Sequence, residues 1–234
     1  MKSFFEINKK IESIFVLIDP DKINVDLLTK FNEYGFRKFL VGGSVLKSGD
    51  SKKTIQLVRK HVKKSTIFLF PGDKSQLAPN ADGLLLPVLL SGQNPEYFLG
   101  QHIQAAKKIK EYKLKSYPTG YILIKGGKKS STEKITGTEP MSDPKIIEQT
   151  AIAGELIGMK FIYLEAGSGA KKNTSPKLIH RVKNNIKIPL LVGGGITSVK
   201  KMRDAFKAGA DFVVIGNGFE NDLKLVEKIS KALR

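Results

Sequence analysis

IPLLVGGGITSVKKMRDAFKAGADFVVIGNG, residues 188–218, is the stretch that decides the fold. It opens with a short apolar run, Pro189–Val192, and passes through three glycines, Gly193–Gly195. A helix-start signal follows at Thr197-Ser198, and the amphipathic stretch 198–208 stops at Gly209, where a C-cap glycine belongs. A second apolar run, Phe212–Ile215, then enters another glycine turn, Gly216-Asn217-Gly218. This is strand, helix, strand. Both strands are apolar without alternation, which suits parallel strands covered on both faces.

The same unit repeats outward through the chain. Apolar runs at Ile14–Ile18, Arg37–Val41, Thr66–Phe70, Asp82–Leu86, Gly120–Ile124 and Lys160–Glu165 read as six further strands. Helical segments are expected near 24–34, 52–63, 95–113, 143–158, 175–184, 198–208 and 220–232. Asn94-Pro95, Asp143-Pro144 and Ser175-Pro176 supply start signals. Strands alternating with helices imply a parallel sheet, and eight of them favour a closed barrel. The expected fold is α/β: one (β/α)8 TIM-barrel domain over residues 1–234, a usual size for that architecture. Residues 71–81 (PGDKSQLAPNA) hold two prolines and little helical periodicity. A loop or short turn should therefore replace the helix after strand three. Phe4–Ile11 reads as an extra helix at the barrel bottom.

Composition bounds the chemistry. Hydrophobic residues make up 41% and charged residues 26% of the 234, as in ordinary globular chains. The chain has no cysteine, which excludes disulfides, thiolate catalysis, zinc–thiolate sites and iron–sulfur clusters. No stretch approaches the roughly 20 apolar residues of a membrane span. Met1–Glu12 has no secretory apolar core, so a cytoplasmic protein is expected. The formal charge is +18. Lysines are scattered rather than gathered into an arm, and no nucleic-acid motif is present. That leaves a solvated basic surface, attraction to anionic lipid, or collection of phosphorylated substrates, with nucleic acid disfavoured.

Barrel sites lie at the C-terminal ends of the strands. Those ends read Asp19-Pro20-Asp21-Lys22 after strand one, Gly42-Gly43-Ser44 after strand two and Tyr163 to Gly169 after strand six. Gly193-Gly194-Gly195 and Gly216-Asn217-Gly218 close strands seven and eight. Glycines there let backbone N–H groups approach an anion, and this fold commonly grips phosphate after its last two strands. The competing reading is tight turns without a ligand, which two glycine loops at the right places disfavour. Asp19 and Ser44 supply a carboxylate and a hydroxyl oxygen suited to Mg²⁺ bridged to phosphate. Taken alone, Asp19 reads as a turn cap in DPDK, and Asp21 reads as the cap of the next helix. Glu165 sits where it can accept a proton from a hydroxyl, and Tyr163, two residues away, shares its strand face. A structural ion pair is the alternative for Glu165. His61, His102 and His180 show no ligand spacing and are expected to be exposed. The polar segment Gly126–Asp143 reads as a long irregular loop.

Taken together, LIDPDK (17–22), VGGS (41–44), ADGLLLPVLLSGQNPEYFLGQHIQAA (81–106), YLEAGSGA (163–170), VGGGI (192–196) and GADFVVIGN (209–217) resemble the geranylgeranylglyceryl phosphate synthase family, which includes bacterial heptaprenylglyceryl phosphate synthases. The resemblance covers nearly the whole chain. It implies transfer of a prenyl group, geranylgeranyl by the AGSG form of the motif, from its diphosphate to the C3 hydroxyl of sn-glycerol 1-phosphate. It implies Mg²⁺ at Asp19 and Ser44, with Glu165 as the base beside Tyr163. Tyr163, Leu164, Glu165, Ala166, Gly167, Ser168, Gly169, Gly194, Gly195, Gly216 and Asn217 match the glycerol phosphate positions. A trench for the tail would draw on Leu84–Leu90, Tyr97, Phe98 and Tyr121, although ordinary core packing explains each singly. Lys22, Lys125, Lys128 and Lys129 are the candidates for charge on the diphosphate. The family's partners would be the two substrates and further copies of the chain in a homo-oligomer. Peripheral membrane contact would suit release of a tailed product.

Two other functions compete. A phosphate-binding barrel isomerase shares the GGGI and IGN grips but wants opposed acid–base residues, and strand five ends in Ile124-Lys125 without a carboxylate. A non-catalytic basic polyanion-binding protein would not need the carboxylate, hydroxyl and glycine set at the strand ends.

Overall fold

The computed structural model describes residues 10–233. Eight parallel strands close a barrel in chain order. They are β1 (Ile14–Ile18), β2 (Lys38–Val41), β3 (Thr66–Leu69), β4 (Gly83–Leu89), β5 (Ser116–Leu123), β6 (Phe161–Glu165), β7 (Leu190–Gly193) and β8 (Phe212–Ile215). The ring is sealed where Phe15 of β1 pairs with Val214 of β8. Around it run α1 (Val25–Tyr34), α2 (Ser51–His61), α3 (Gln101–Glu111), α4 (Ser131–Thr136), α5 (Pro144–Leu156), α6 (Pro176–Lys183), α7 (Val199–Lys207), α8 (Asn217–Asn221) and α9 (Leu223–Leu233). The expected helix at residues 4–11 lies almost wholly outside the described residues.

Side chains that accept backbone N–H groups fix the helix starts: Asn24 for α1, Asp50 for α2, Asp143 for α5, Ser175 for α6 and Ser198 for α7. Asn24, not Asp21, therefore caps α1. Before α3 the chain winds a π turn, Glu96–Gly100, rather than opening an α-helix at Pro95. As expected, the segment after β3 holds only a single 3-10 turn, Lys74–Gln76.

Two apolar layers hold the barrel. The outer layer lies between strands and helices, with Val16, Ile67, Ile122, Leu164 and Val192 facing Leu28, Val58, Ile179 and Met202. The inner layer fills the barrel with aromatic rings. Phe15 meets Phe212 at 5.2 Å and Phe68 at 6.1 Å; Tyr117 meets Phe68 at 5.9 Å and Phe161 at 6.2 Å. Burying each such side chain contributes about 1.5–3 kcal/mol. A second aromatic tier stands above them, where Phe70, Tyr121 and Tyr163 pack at 5.4–6.2 Å. The lower tier blocks the barrel and the upper tier is the floor of the mouth.

β5 is longer than the apolar run 120–124 suggested, because Ser116–Thr119 also belong to it. Its lower half turns Tyr117 and Thr119 into the barrel, and Thr119 satisfies its hydroxyl on the Tyr117 carbonyl at 3.0 Å. β4 pairs with β5 from Leu84 to Leu89 but with β3 only at Gly83 and Leu84. Above Leu84 the β3 side of β4 is unpaired.

Candidate active site

A cavity of about 550 Å³ occupies the C-terminal mouth of the barrel and extends outward over β4. Its polar end lies against the loops after β6, β7 and β8. Glu165, the last residue of β6, projects into it and is 7% exposed. The Tyr163 hydroxyl donates to Glu165 Oε2, and the Gly167 N–H donates to Oε1 at 2.8 Å. Burial pushes the Glu165 carboxyl up to about 7; the Tyr163 and Gly167 hydrogen bonds pull the other way without cancelling it. Burial, then the Glu165 charge, holds the Tyr163 and Tyr121 phenols well above their usual range. The arrangement is a protonatable carboxylate poised near neutral pH beside a phenol that stays protonated.

The β7 glycines give this pair its room. A Cβ on Gly193 would stand 2.3 Å from the Tyr163 hydroxyl and 2.7 Å from Glu165 Oε2. A Cβ on Gly194 would stand 2.4 Å from Glu165 Oε1, and Gly194 also needs a positive φ of 78°. The sequence points to Gly194 and Gly195 as anion contacts; Gly193 is needed for a different reason, close approach of the Tyr163–Glu165 pair. Lys201 of α7 fixes the loop, its Nζ donating to the Gly195 carbonyl at 2.8 Å and to Thr197 Oγ1 at 3.2 Å.

A relay of polar contacts then crosses the mouth. The Ser168 hydroxyl donates to Asn217 Oδ1, and Asn217 Nδ2 donates to Glu220 Oε2 at 2.9 Å. Lys22 Nζ lies 3.7 Å from Glu220 and 3.4 Å from Asp19. Burial raises the Glu220 carboxyl, Lys22 opposes the rise and Asp19 adds to it. Glu220 was not singled out in the sequence, although its place one turn after Asn217 was a usable signal. Of the glycerol phosphate candidates, Tyr163, Glu165, Ser168, Gly169, Gly194, Gly195, Gly216 and Asn217 line the cavity. Leu164 turns into the outer core, and Ala166 and Gly167 are buried behind the wall.

On the β1–β2 side, Asp19 and Ser44 both face the cavity, and the loops that bear them touch: a Cβ on Gly43 would be 3.3 Å from Asp19 Oδ1. Asp19 accepts the Asp21 N–H at 3.1 Å, so it is a turn cap as well as a cavity residue. Asp21 gathers the N–H groups of Lys47, Ser48 and Gly49 at 2.8, 2.9 and 2.5 Å, and those bonds, Lys47's first, lower its carboxyl pKa. It thus ties the β1 loop to the β2 loop instead of capping α1. Buried Gln76 clamps Gly43 by both its N–H (3.0 Å) and its carbonyl (2.8 Å), a contact between distant segments that sequence spacing does not disclose. Among the described residues no three His, Cys, Asp or Glu side chains converge on one point. One carboxylate and one hydroxyl cannot cage a cation alone. Mg²⁺ at these two oxygens would need the rest of its oxygen shell from other sources. The cavity's lysines are Lys22, Lys47 and Lys74; Lys125, Lys128 and Lys129 are exposed and do not line it, which corrects the expectation for those three.

The other end of the cavity is an apolar trench. Leu77, Leu86, Pro87, Leu89, Tyr97 and Tyr121 wall it, with Ala105 and Ile109 of α3. It opens where the segment after β3 winds only the 3-10 turn Lys74–Gln76 instead of a full helix. Phe98 does not belong to it: the π turn sends Tyr97 inward and leaves Phe98 43% exposed on the outside. Nor is His102 a surface residue, since its Nε2 lies 2.9 Å from the Pro87 carbonyl and its ring lines the trench. The stretch 126–143 is not irregular throughout. Ser130 and Glu133 form a capping box that starts α4, and α4 roofs the mouth. Tyr97 donates to the Ile135 carbonyl at 3.0 Å, and Tyr121 lies 3.4 Å from Thr132.

A closed (β/α)8 barrel with a glycine-lined polar cup joined to an apolar trench defines the class: an α/β barrel whose mouth is polar at one end and apolar at the other. The chain belongs to the PcrB family, whose model matches residues 7–233. It is 42% identical over 221 residues to geranylgeranylglyceryl phosphate synthase of Zunongwangia profunda, covering 92% of this chain and 93% of that one. It is 36% identical to the enzyme of that name from Nitrosopumilus maritimus, covering 98% and 94%. The crystal structure of (S)-3-O-geranylgeranylglyceryl phosphate synthase from Thermoplasma acidophilum, in complex with its substrate sn-glycerol-1-phosphate, superposes with a TM-score of 0.86 at 25% identity, covering 94% of this chain and 92% of that one.

Proposed function

We propose that this protein is a geranylgeranylglyceryl phosphate synthase. It joins a geranylgeranyl group from its diphosphate to the C3 hydroxyl of sn-glycerol 1-phosphate. The observation that carries this reading is Glu165: a buried carboxyl with a pKa near 7, at the junction of the glycine-lined cup and the apolar trench. The names of its relatives support the same activity.

In this reading the backbone of Gly194, Gly195, Gly216 and Asn217 and the hydroxyl of Ser168 bind the glycerol phosphate, where N–H groups and positive-φ glycines suit an anion. Glu165 accepts the proton of the C3 hydroxyl as that oxygen bonds to the allylic C1 of the prenyl chain. The C1–O bond to diphosphate breaks and its electron pair leaves with the diphosphate. Tyr163 holds Glu165 in place. Lys22, Lys47 and Lys74 put positive charge beside the leaving group. Asp19 and Ser44 would hold Mg²⁺, which when bound neutralises charge on the diphosphate. The trench takes the tail, and α4 with Tyr97 excludes water from the allylic cation.

The test is transfer of radiolabelled sn-glycerol 1-phosphate onto geranylgeranyl diphosphate with Mg²⁺, with and without EDTA. A butanol-extractable labelled product that EDTA abolishes is the expected result. Product formation indifferent to EDTA would remove the metal assignment, and no product at all would remove the transferase.

A further inference from the structure

Ten large apolar side chains are exposed among the described residues, and five of them cluster at the mouth. Val45 and Ile135 are exposed and also line the cavity, from the β2 loop and from α4. Phe98, Leu99 and Ile103 occupy the π turn and first turn of α3; Leu99 is 54% and Ile103 67% exposed. Tyr97 of the same turn bonds α4 beside Ile135, so the two segments form one rim. α3 thus has two working faces. Gln101, His102, Ala105 and Ile109 line the trench, while Leu99 and Ile103, four residues apart, face out. Exposed lysines flank the rim on the same two helices, Lys107 and Lys110 on α3 and Lys134 on α4. Lys74 is held to Gln104 of α3 at 2.9 Å.

We propose that this rim docks on an anionic lipid bilayer, with Phe98, Leu99 and Ile103 entering the acyl boundary and the flanking lysines on the headgroups. An apolar face bordered by cations is the composition that seats a protein in a membrane interface. Each lysine near an anionic surface strengthens binding about fivefold, and the formal charge of +18 adds long-range attraction. A second copy of the chain fits the rim less well. A two-fold contact would set these lysines against themselves and cover the mouth through which substrate enters. What passes between trench and bilayer rests on the prenyl-transfer reading; the docking itself rests only on the surface.

The experiment is co-sedimentation of the full chain with vesicles of phosphatidylcholine and phosphatidylglycerol in equal parts, beside vesicles of phosphatidylcholine alone. Wild type should bind the mixed vesicles, bind the neutral ones weakly, and be released by salt. The Leu99→Ser/Ile103→Ser variant should lose at least about tenfold in partitioning. The Leu156→Ser/Ile157→Ser variant, whose two residues are also more than half exposed but are not among the cavity or rim residues, should bind as wild type. Failure of wild type to bind mixed vesicles, or equal binding by the rim variant, overturns the proposal. So does a rim variant whose mass by light scattering drops below that of wild type, which would make the rim a subunit contact. Turnover of detergent-dispersed prenyl diphosphate by the rim variant should match wild type. If wild type binds vesicles but transfers nothing, the function falls and the docking stands.

Discussion

Tyr163→Phe removes one hydroxyl and leaves the ring packing between Phe70 and Tyr121 intact, so it isolates the hydrogen bond to Glu165. That bond favours the charged carboxylate, against a burial that lifts the group to about 7. A hydrogen bond to a charged group contributes about 1.5–3 kcal/mol, and about 1.4 kcal/mol moves a pKa by one, so losing it should raise the Glu165 pKa by about one to two. The base works only when deprotonated. In wild type the acid limb of kcat/KM should therefore turn near pH 7, and in Tyr163→Phe it should turn near about pH 8 to 9. At pH 7 the variant would hold about 5- to 50-fold less of the active form, and its rate should recover as the pH rises. The assay is prenyl transfer from pH 5.5 to 9.5 with both substrates well below KM. An acid limb that stays where wild type has it, or a loss equally deep at every pH, would refute the reasoning that the phenol tunes this carboxyl.

Other consequences follow from the same geometry. Glu165→Gln should lower kcat by about 10²–10⁴ while glycerol phosphate still binds, read by turnover alongside equilibrium binding. Because the folded-state pKa of Glu165 is raised from 4.5 to about 7, the fold prefers its neutral form: that stability is fully present below pH 4.5 and is lost as pH rises through about 7. Glu165→Gln should therefore be more stable than wild type at pH 8, by up to about 3 kcal/mol, with little difference at pH 4; thermal melts at the two pH values check this, and equal gains at both contradict it. Gly193→Ala drives a Cβ into the Tyr163–Glu165 pair and should cost about 1–3 kcal/mol of stability with roughly a hundredfold drop in kcat; melting and turnover indistinguishable from wild type would count against the packing argument. Asp19→Asn should shift the Mg²⁺ activation midpoint to higher concentration, and a titration superimposable on wild type would remove Asp19 as a ligand.

The barrel was legible because buried parallel strands are apolar without interruption, as in Leu190–Val192 and Phe212–Ile215. β5 was read short because its lower half faces an aromatic tier and carries Tyr117, Pro118 and Thr119 instead of aliphatics. Residues at strand ends were legible as a set, since topology alone brings Asp19, Ser44, Glu165, Gly194 and Asn217 to one mouth. Long side chains were not. Lys125, Lys128 and Lys129 follow a strand just as Lys22 does, but they are exposed outside the cavity, and Lys47 and Lys74 line it from other loops. Tyr97 and Phe98 are adjacent on the π turn, and only Tyr97 lines the trench, a choice that their spacing in the sequence does not disclose. The Ser130–Glu133 capping box was present in the sequence but lay among lysines and glycines that masked it.

The trench has a backbone cause that joins these observations. Leu84 and Leu90 send their N–H groups to the carbonyls of Lys115, the residue before β5, and Tyr121 of β5, so the alternate residues, Pro87 among them, face β3. There β4 is unpaired above Leu84. A proline is tolerated in a central strand only where no donor is required. Pro87 occupies such a place, and its free carbonyl accepts His102 from α3. An ordinary helix after β3 would lie over this edge and cover Leu86 of the outer layer, while Pro87, on the opposite face of the strand, lines the mouth. Its replacement by the 3-10 turn at Lys74–Gln76 leaves Leu86 as trench wall and frees Gln76 to clamp Gly43 on the opposite side. One missing helix thus produces both the apolar slot and the support for the loop that carries Ser44, so the length of segment 71–81 is under constraint from both ends of the site.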